Sequence, residues 1–364
     1  MQSPVTRASR RFLVLAIAVA ALIAAAVAAG SQAAEQNSYT VHNLVSDQPG
    51  VADHLDANLV NAWGLDARPT SPWWGADNGA DVSTLYNAAG TAFPPPPASP
   101  LVVQVRHAPT GLVANPGSGF PVQLGSASAP ALFLFSTEEG TILGWNPTVS
   151  PDAVVVADLH SGAIYKGLAV SPTGDRLYAT DFHNGRVDVF DGSFAPVHSP
   201  GAFVDPSLPR GFAPFGIQAV GDRIFVTYAK QDADAEDDVA GQGLGFVDVY
   251  GTAGALLGRV ASRGQLNSPW GIALAPADFG RFSGDLLIGN FGDGRINAFR
   301  KQPAGNYEHA GRLKSSDGGA LVIDGLWALQ FGKGAANNGA PNSLFFTAGP
   351  DDESHGLFGS IAAS

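Results

Sequence analysis

The chain has 364 residues, 45% of them hydrophobic and only 14% charged, with 45 glycines, 26 prolines and no cysteine. The lack of cysteine excludes disulfides, thiol catalysis and zinc–thiolate centres, so stability rests on packing, which a chain of this length can supply. The formal net charge is −12, and so acidic a surface repels phosphate backbones and anionic lipid, which argues against nucleic-acid and membrane partners.

Residues 1–34 form a segment of their own. Arg7, Arg10 and Arg11 make a basic start, Phe12–Ala29 is uninterruptedly apolar, and Ser31-Gln32-Ala33 supplies small residues for cleavage. That order predicts a secretory signal peptide cut near Ala33. A retained anchor is the alternative, because the apolar run is just long enough to span a bilayer. Ser9-Arg10-Arg11-Phe12-Leu13 approaches a twin-arginine signal but is one residue short. With the three leader arginines removed, 17 basic residues face 32 acidic ones, a net charge of −15. The mature chain, 35–364, is expected as one domain, monomeric, free of the membrane, in the periplasm or outside the cell.

Tyr39–Val45 reads as a strand with no partner nearby. After it one pattern recurs: a Gly followed by an apolar pair, a strand ending in Thr plus a polar residue, then a Gly-started strand. The third copy is Lys166–Val170 (KGLAV), Leu177–Asp181 (LYATD) and Gly185–Phe190 (GRVDVF); the fifth is Trp270–Ile272, Leu286–Asn290 and Gly294–Phe299. The first-strand glycines fall at Gly64, Gly111, Gly167, Gly216, Gly271 and Gly325, spaced 47 to 56 residues apart. A period near 50 with strands of about five residues leaves room for one four-stranded sheet per repeat, the blade of a propeller. Fourth strands are visible at Leu101–Val105 and Ala153–Val156, and Pro94–Pro97 reads as a surface loop within the first repeat. The sixth repeat ends with its third strand, Gly356–Ile361. The prediction is therefore all-β: a six-bladed β-propeller whose last blade is closed by Tyr39–Val45, which removes two open edges.

The motifs Asn58–Gly64 (NLVNAWG), Ala76–Gly79 (ADNG), Tyr178–Gly185 (YATDFHNG), Gly211–Gly216 (GFAPFG), Thr227–Asp232 (TYAKQD), Asp237–Gly241 (DDVAG), Asn267–Gly271 (NSPWG) and Thr347–Asp352 (TAGPDD) carry a family resemblance. Over nearly all of its mature length the chain resembles the TIGR03118 family of exported bacterial proteins. The resemblance implies a propeller similar to the NHL group and brings no catalytic residues with it. Some members carry a C-terminal sorting segment; this sequence ends at Ser364 without one, so sorting by that route is not expected.

Turns joining strands two and three share one face with the connections between blades, and propellers commonly bind ligands there, at the channel mouth. Those turns carry Asp77 and Asn78, Glu138 and Glu139, Asp181 with His183, Asn290 with Asp293, and Asp351–His355 (DDESH). Several of these types also anchor turns: Asn184-Gly185 and Asp293-Gly294 are hairpin pairs, and Asp181 or Asn290 can bond the turn backbone. Trp63, Phe215 and Trp270 precede first-strand glycines, with Asp324 read in that place in blade six; such residues could stack a ligand or pack blades. Asp188, Asp248 and Asn297 repeat in register and read as hydrogen bonding between blades.

Ring closure would bring the loop Asp53–Asp56 beside the last turn, so that His54 and Asp56 neighbour Asp351, Asp352, Glu353 and His355. Two imidazoles with several carboxylates could hold a divalent cation, run acid–base chemistry, or clamp the closure. Asp232 and Asp234 begin a calcium-loop-like spacing, but Asp237 and Gly243 stand where an EF-hand needs Gly and Glu; the insertion is either an oxygen-rich cation site, with calcium the first expectation, or a solvated acidic loop. No Gly-x-Ser-x-Gly, His-Glu-x-x-His, P-loop or dinucleotide fingerprint occurs. Three functions stay open: binding of a small-molecule, carbohydrate or protein ligand at the channel face, a metal-dependent hydrolase of lactonase or esterase type by fold analogy, and a structural role in the envelope.

Overall fold

Short, largely apolar stretches broken by glycine and Asx turns do not reach helical length and pair as antiparallel strands. The structure, a computed structural model, describes residues 36–364; the expected leader lies outside the described residues. Six sheets follow one another along the chain, each running from the axis outward.

Blade one is Ala62–Asp66, Trp73–Asp77, Val82–Tyr86 and Val102–Gln104; blade two is Pro109–Ala114, Phe133–Thr137, Thr141–Trp145 and Val154–Asp158. Blade three has only Tyr165–Val170, Arg176–Asp181 and Arg186–Asp191. Blade four is Phe212–Val220, Arg223–Lys230, Gly245–Gly251 and Leu256–Ser262, and blade five is Pro269–Leu274, Leu286–Asn290, Ile296–Lys301 and Tyr307–Arg312. Blade six has Leu326–Phe331, Leu344–Ala348 and Leu357–Ala363, and the first strand, Tyr39–Ser46, completes it in antiparallel register from Tyr39↔Ala363 to Ser46↔Leu357. The fold is the expected six-bladed propeller. A small hairpin, Pro121–Leu124 with Ala127–Pro130, was not foreseen; it covers blade two and brings Val122 into the core.

The core lies between blades, because both faces of each sheet are covered by its neighbours. Innermost strands approach so closely that a side chain at their glycines has nowhere to go. A Cβ on Gly216 would stand 2.1 Å from the carbonyl oxygen of Trp270 in the next blade, and one on Gly111 2.3 Å from the amide nitrogen of Leu168. Second-strand threonines tie the same blades: Thr180 Oγ1 donates to Phe215 O at 2.7 Å, and Thr347 Oγ1 to Trp63 O at 2.5 Å. Asp188, Asp248 and Asn297 do not bridge blades as expected. Asp188 and Asp248 bond Tyr165, Arg186 and Arg259 of their own blades, and Asn297 bonds Gln265 O on the connection into its own blade.

Candidate functional site

The closeness of the innermost strands determines which residues meet at the axis. Contacts from blade to blade put Trp63, Thr110, Lys166, Phe215 and Trp270, the residues before the first-strand glycines, at equivalent innermost positions. In blade six the position belongs to Trp327, with Ala328 where the others have glycine, since Gly271 abuts Trp327 O. Gly325 and Asp324, read from the sequence as the blade-six members, sit one turn earlier. Asp324 instead accepts the Asp351 amide at 3.0 Å.

The aromatic members close the channel. Trp63 stacks on Trp327 with ring centroids 3.6 Å apart, Trp270 meets both edge-on, and Phe291 stacks on the other side of Trp327 at 4.0 Å. Beneath them only about 20 Å³ remains, lined by Leu65, Leu112, Leu168, Ile217, Ile272 and Leu329, room for one water. Trp63 and Trp270 are thus the floor of the channel mouth, 3% and 9% exposed.

Above this floor a polar chain runs round the mouth. Glu353 of blade six accepts from Asn61 Nδ2 at 2.6 Å; Asn61 Nδ2 also reaches Asn78 Oδ1 at 3.2 Å; Asn78 Nδ2 donates to Glu138 Oε2 at 3.0 Å. Lys166 Nζ then donates to Glu138 Oε1 at 2.5 Å and to Asp237 Oδ1 at 2.9 Å, and lies 5.2 Å from the Trp63 ring. Trp327 Nε1 fixes Asn61 by donating to its Oδ1 at 3.2 Å. Five blades, from six through one, two and three to four, contribute to one connected array.

Backbone geometry aims two of these groups. Asn61 is left-handed at φ +47°, a conformation Asn tolerates. Its N–H bonds His355 O and its C=O takes the Asn78 N–H, both at 3.0 Å. Asp351, Asp352 and Glu353 are consecutively left-handed, at φ +56°, +51° and +65°. Each such non-glycine residue costs about 1–2 kcal/mol. Three in a row form a strained turn of the kind found where strain serves function.

The charges do not balance. Burial pulls the Lys166 ammonium down, but Glu138 and Asp237 more than offset this and hold its pKa above the ordinary value. Burial pushes Glu353 up, and Glu138 and Asp237 add to it despite the Asn61 hydrogen bond and Lys166. Burial likewise raises Asp238, although Ser268 and Lys166 work against it. Four carboxyls face one ammonium.

The remaining sequence candidates are engaged locally. Asp77 is fully buried and accepts the Thr84 amide at 2.9 Å, with its pKa raised by burial. Asp181 holds Asn184 by backbone and side chain, and Asn290 bonds Gln265 O and Asp293. His183 Nδ1 lies 3.3 Å from Ala235 O, which ties blade three to the blade-four insertion. In that insertion Asp232 accepts the Glu236 amide, while Asp234 is exposed.

The cluster expected at ring closure is divided. His54 reaches Ala89 O at 3.1 Å, Asp56 takes the Tyr86 hydroxyl and Asn58, His355 pairs with Asp47 at 2.8 Å, and Glu353 turns inward to Asn61. Asp351 approaches Gln48 at 3.5 Å and Asp352 is exposed. Among the described residues no group of three or more His, Cys, Asp and Glu side chains is placed to hold a metal ion.

Asn61, Lys166, Asp237, Asp238 and Trp327 also stand at the mouth, where the sequence gives no expectation of them. Lys166 was within reach, since it precedes Gly167 as Trp63 precedes Gly64. Asn61 and Asp237 had no periodic signal.

No family model matches the chain. Among solved structures, one described as a streptogramin B lyase aligns with a TM-score of 0.51 over 90% of this chain and 97% of its own, at 10% identity, a likeness of fold alone. Among sequences, uncharacterized protein L690 of Acanthamoeba polyphaga mimivirus is 31% identical over 342 residues, covering 89% of this chain and 86% of the relative. Uncharacterized protein R648 of the same virus is 33% identical over 333 residues, covering 89% of this chain and 80% of the relative. Identity at that level across nearly the whole propeller means that the chain belongs to the family of these mimivirus proteins.

Proposed function

We propose that the protein is an exported binding propeller, akin to the exported bacterial group its motifs resemble, and that its channel mouth takes a small polar ligand carrying positive charge. The observation that carries this reading is the mismatch at the mouth: Glu138, Asp237, Asp238 and Glu353 against Lys166 alone. Glu353 and Asp238 are raised in pKa by burial and only partly relieved by Lys166, so a second cation arriving at the mouth would favour their ionised forms. An amine or guanidinium group is the natural occupant, because its donors match carboxylate acceptors. The hydrolase reading has less support, because His54 and His355 each serve a different neighbour.

Thermal shift with putrescine, agmatine, glucosamine, glucose and calcium tests this. Ligands that bind the native state raise stability by about 2.7 kcal/mol at a hundredfold excess over Kd. The cationic compounds should do so, and a Glu353→Gln, Asp238→Asn double variant should lose the response while remaining folded. A response to glucose with none to the amines would overturn the reading.

A further inference from the structure

Blade three is one strand short. We propose that its outer edge is a docking site for a short extended peptide, apolar at alternate positions, that adds as the missing fourth strand. This stands independently of the ligand at the channel mouth.

The edge is left open by the chain itself. After Arg186–Asp191 the backbone turns, with Asp191 N–H on Ala195 O at 2.9 Å, and begins a return strand: Phe190 bridges Pro196, and Val197 N–H reaches Val189 O at 2.7 Å. The segment His198–Pro200 then leaves. Alternation along a strand puts the N–H and C=O of Val187 on the same edge as those of Val189. Among the described residues no backbone group meets Val187 there, nor the N–H of Val189. In their place is a groove of about 330 Å³ whose lining includes Val187, Val189, Pro196, His198, Pro200 and Leu159.

The other blades define what fits. In blades one, two, four and five the fourth strand runs antiparallel to the third. Its alternate residues reach the core: Val154 and Val156 pack against the cluster of blades two and three, and Val260 is buried. Val187 and Val189 are only partly buried against the cluster of blades three and four, so a guest side chain would finish covering them. Blade six already takes its outer strand from outside its own repeat. Arg186 and Asp188 are paired at 2.8 Å, so the edge asks for no charge from its guest. At about 3.3 Å per residue the free stretch accepts roughly four residues, and main-chain bonds would supply affinity as in other strand-addition sites.

The probe is a synthetic peptide of the protein's own blade-two outer strand, Ala153–Leu159, with two added lysines for solubility. Millimolar peptide should slow amide exchange at Val187 and Val189 at least tenfold. N-methylation of the peptide nitrogens on the pairing edge should abolish this, and methylation of the alternate set should not. Val187→Pro removes only the outward N–H, a change edge strands tolerate, and should weaken binding at least tenfold. Should that variant fail to fold, the two methylated peptides decide alone. Glu353→Gln should bind the peptide as the parent does, which separates this result from the channel-mouth reading. No protection at millimolar peptide, or equal loss from both methylation patterns, overturns the proposal.

Discussion

The turn Pro350–Gly356 serves two polar clusters, and they are built on opposite principles. On its outer side polar groups are matched locally: His355 Nδ1 and the Gly356 amide both meet Asp47, Ser46 Oγ donates to Gly356 O, and His42 pairs with Asp53. On its inner side Glu353 enters an array in which carboxyls outnumber cations and two of them are pushed up in pKa by burial. The outer cluster sews the first strand to the last blade. The inner one is held by strained backbone in a state it would not choose in water. Local matching suits a structural clamp, and a charge conflict maintained by the fold is the feature on which the proposed binding site rests.

The largest test removes the seam. Deleting Gln36–Ser46 takes away buried Tyr39, Leu44 and Val45 and bares the edge of Leu357–Ala363. At about 1.5–3 kcal/mol for each apolar side chain, the loss should be about 5 kcal/mol or more, read by denaturant unfolding. A truncated chain within 1 kcal/mol of the parent would mean the seam is dispensable.

A smaller effect probes the mouth. Lys166→Met leaves Glu138 and Asp237 without their ammonium, and because those carboxylates are 30% and 73% exposed and solvent screens them, the loss should be about 1–2 kcal/mol. Calcium at millimolar concentration should restore part of that in the variant and do less for the parent, because Lys166 already supplies the cation. Equal stability of variant and parent at pH 7 would show the carboxylates do not depend on Lys166.

The smallest effect has a pH signature. A carboxyl whose folded pKa is raised opposes folding when ionised, and that penalty is relieved as pH falls through the folded value. Glu353→Gln should therefore gain up to about 1 kcal/mol at pH 7–8, and the gap should close on acidification towards the ordinary carboxylate range. A gap that widens on acidification would place Glu353 below its normal value and equalise the two clusters.

Six blades, their turn chemistry and the closing role of Tyr39–Val45 were legible in the chain, because strand periodicity, glycine spacing and a missing last strand are local signals. The placement of Trp63, Asn78, Glu138 and Trp270 on the channel face was legible too, since they lie on repeat positions or turns, whereas Glu353 reads from the sequence as part of the ring-closure cluster and stands instead beside Asn61. Tertiary structure decided the rest. Glu353 and His355, two residues apart, part company because a left-handed turn aims one inward and the other at Asp47, and no composition or spacing encodes that direction. Trp327 displaced Asp324 because the register of blade six is set by close approach to Gly271. Lys166 became the hub because its carboxylate partners come from blades on either side, and only closure of the ring brings them within hydrogen-bond reach.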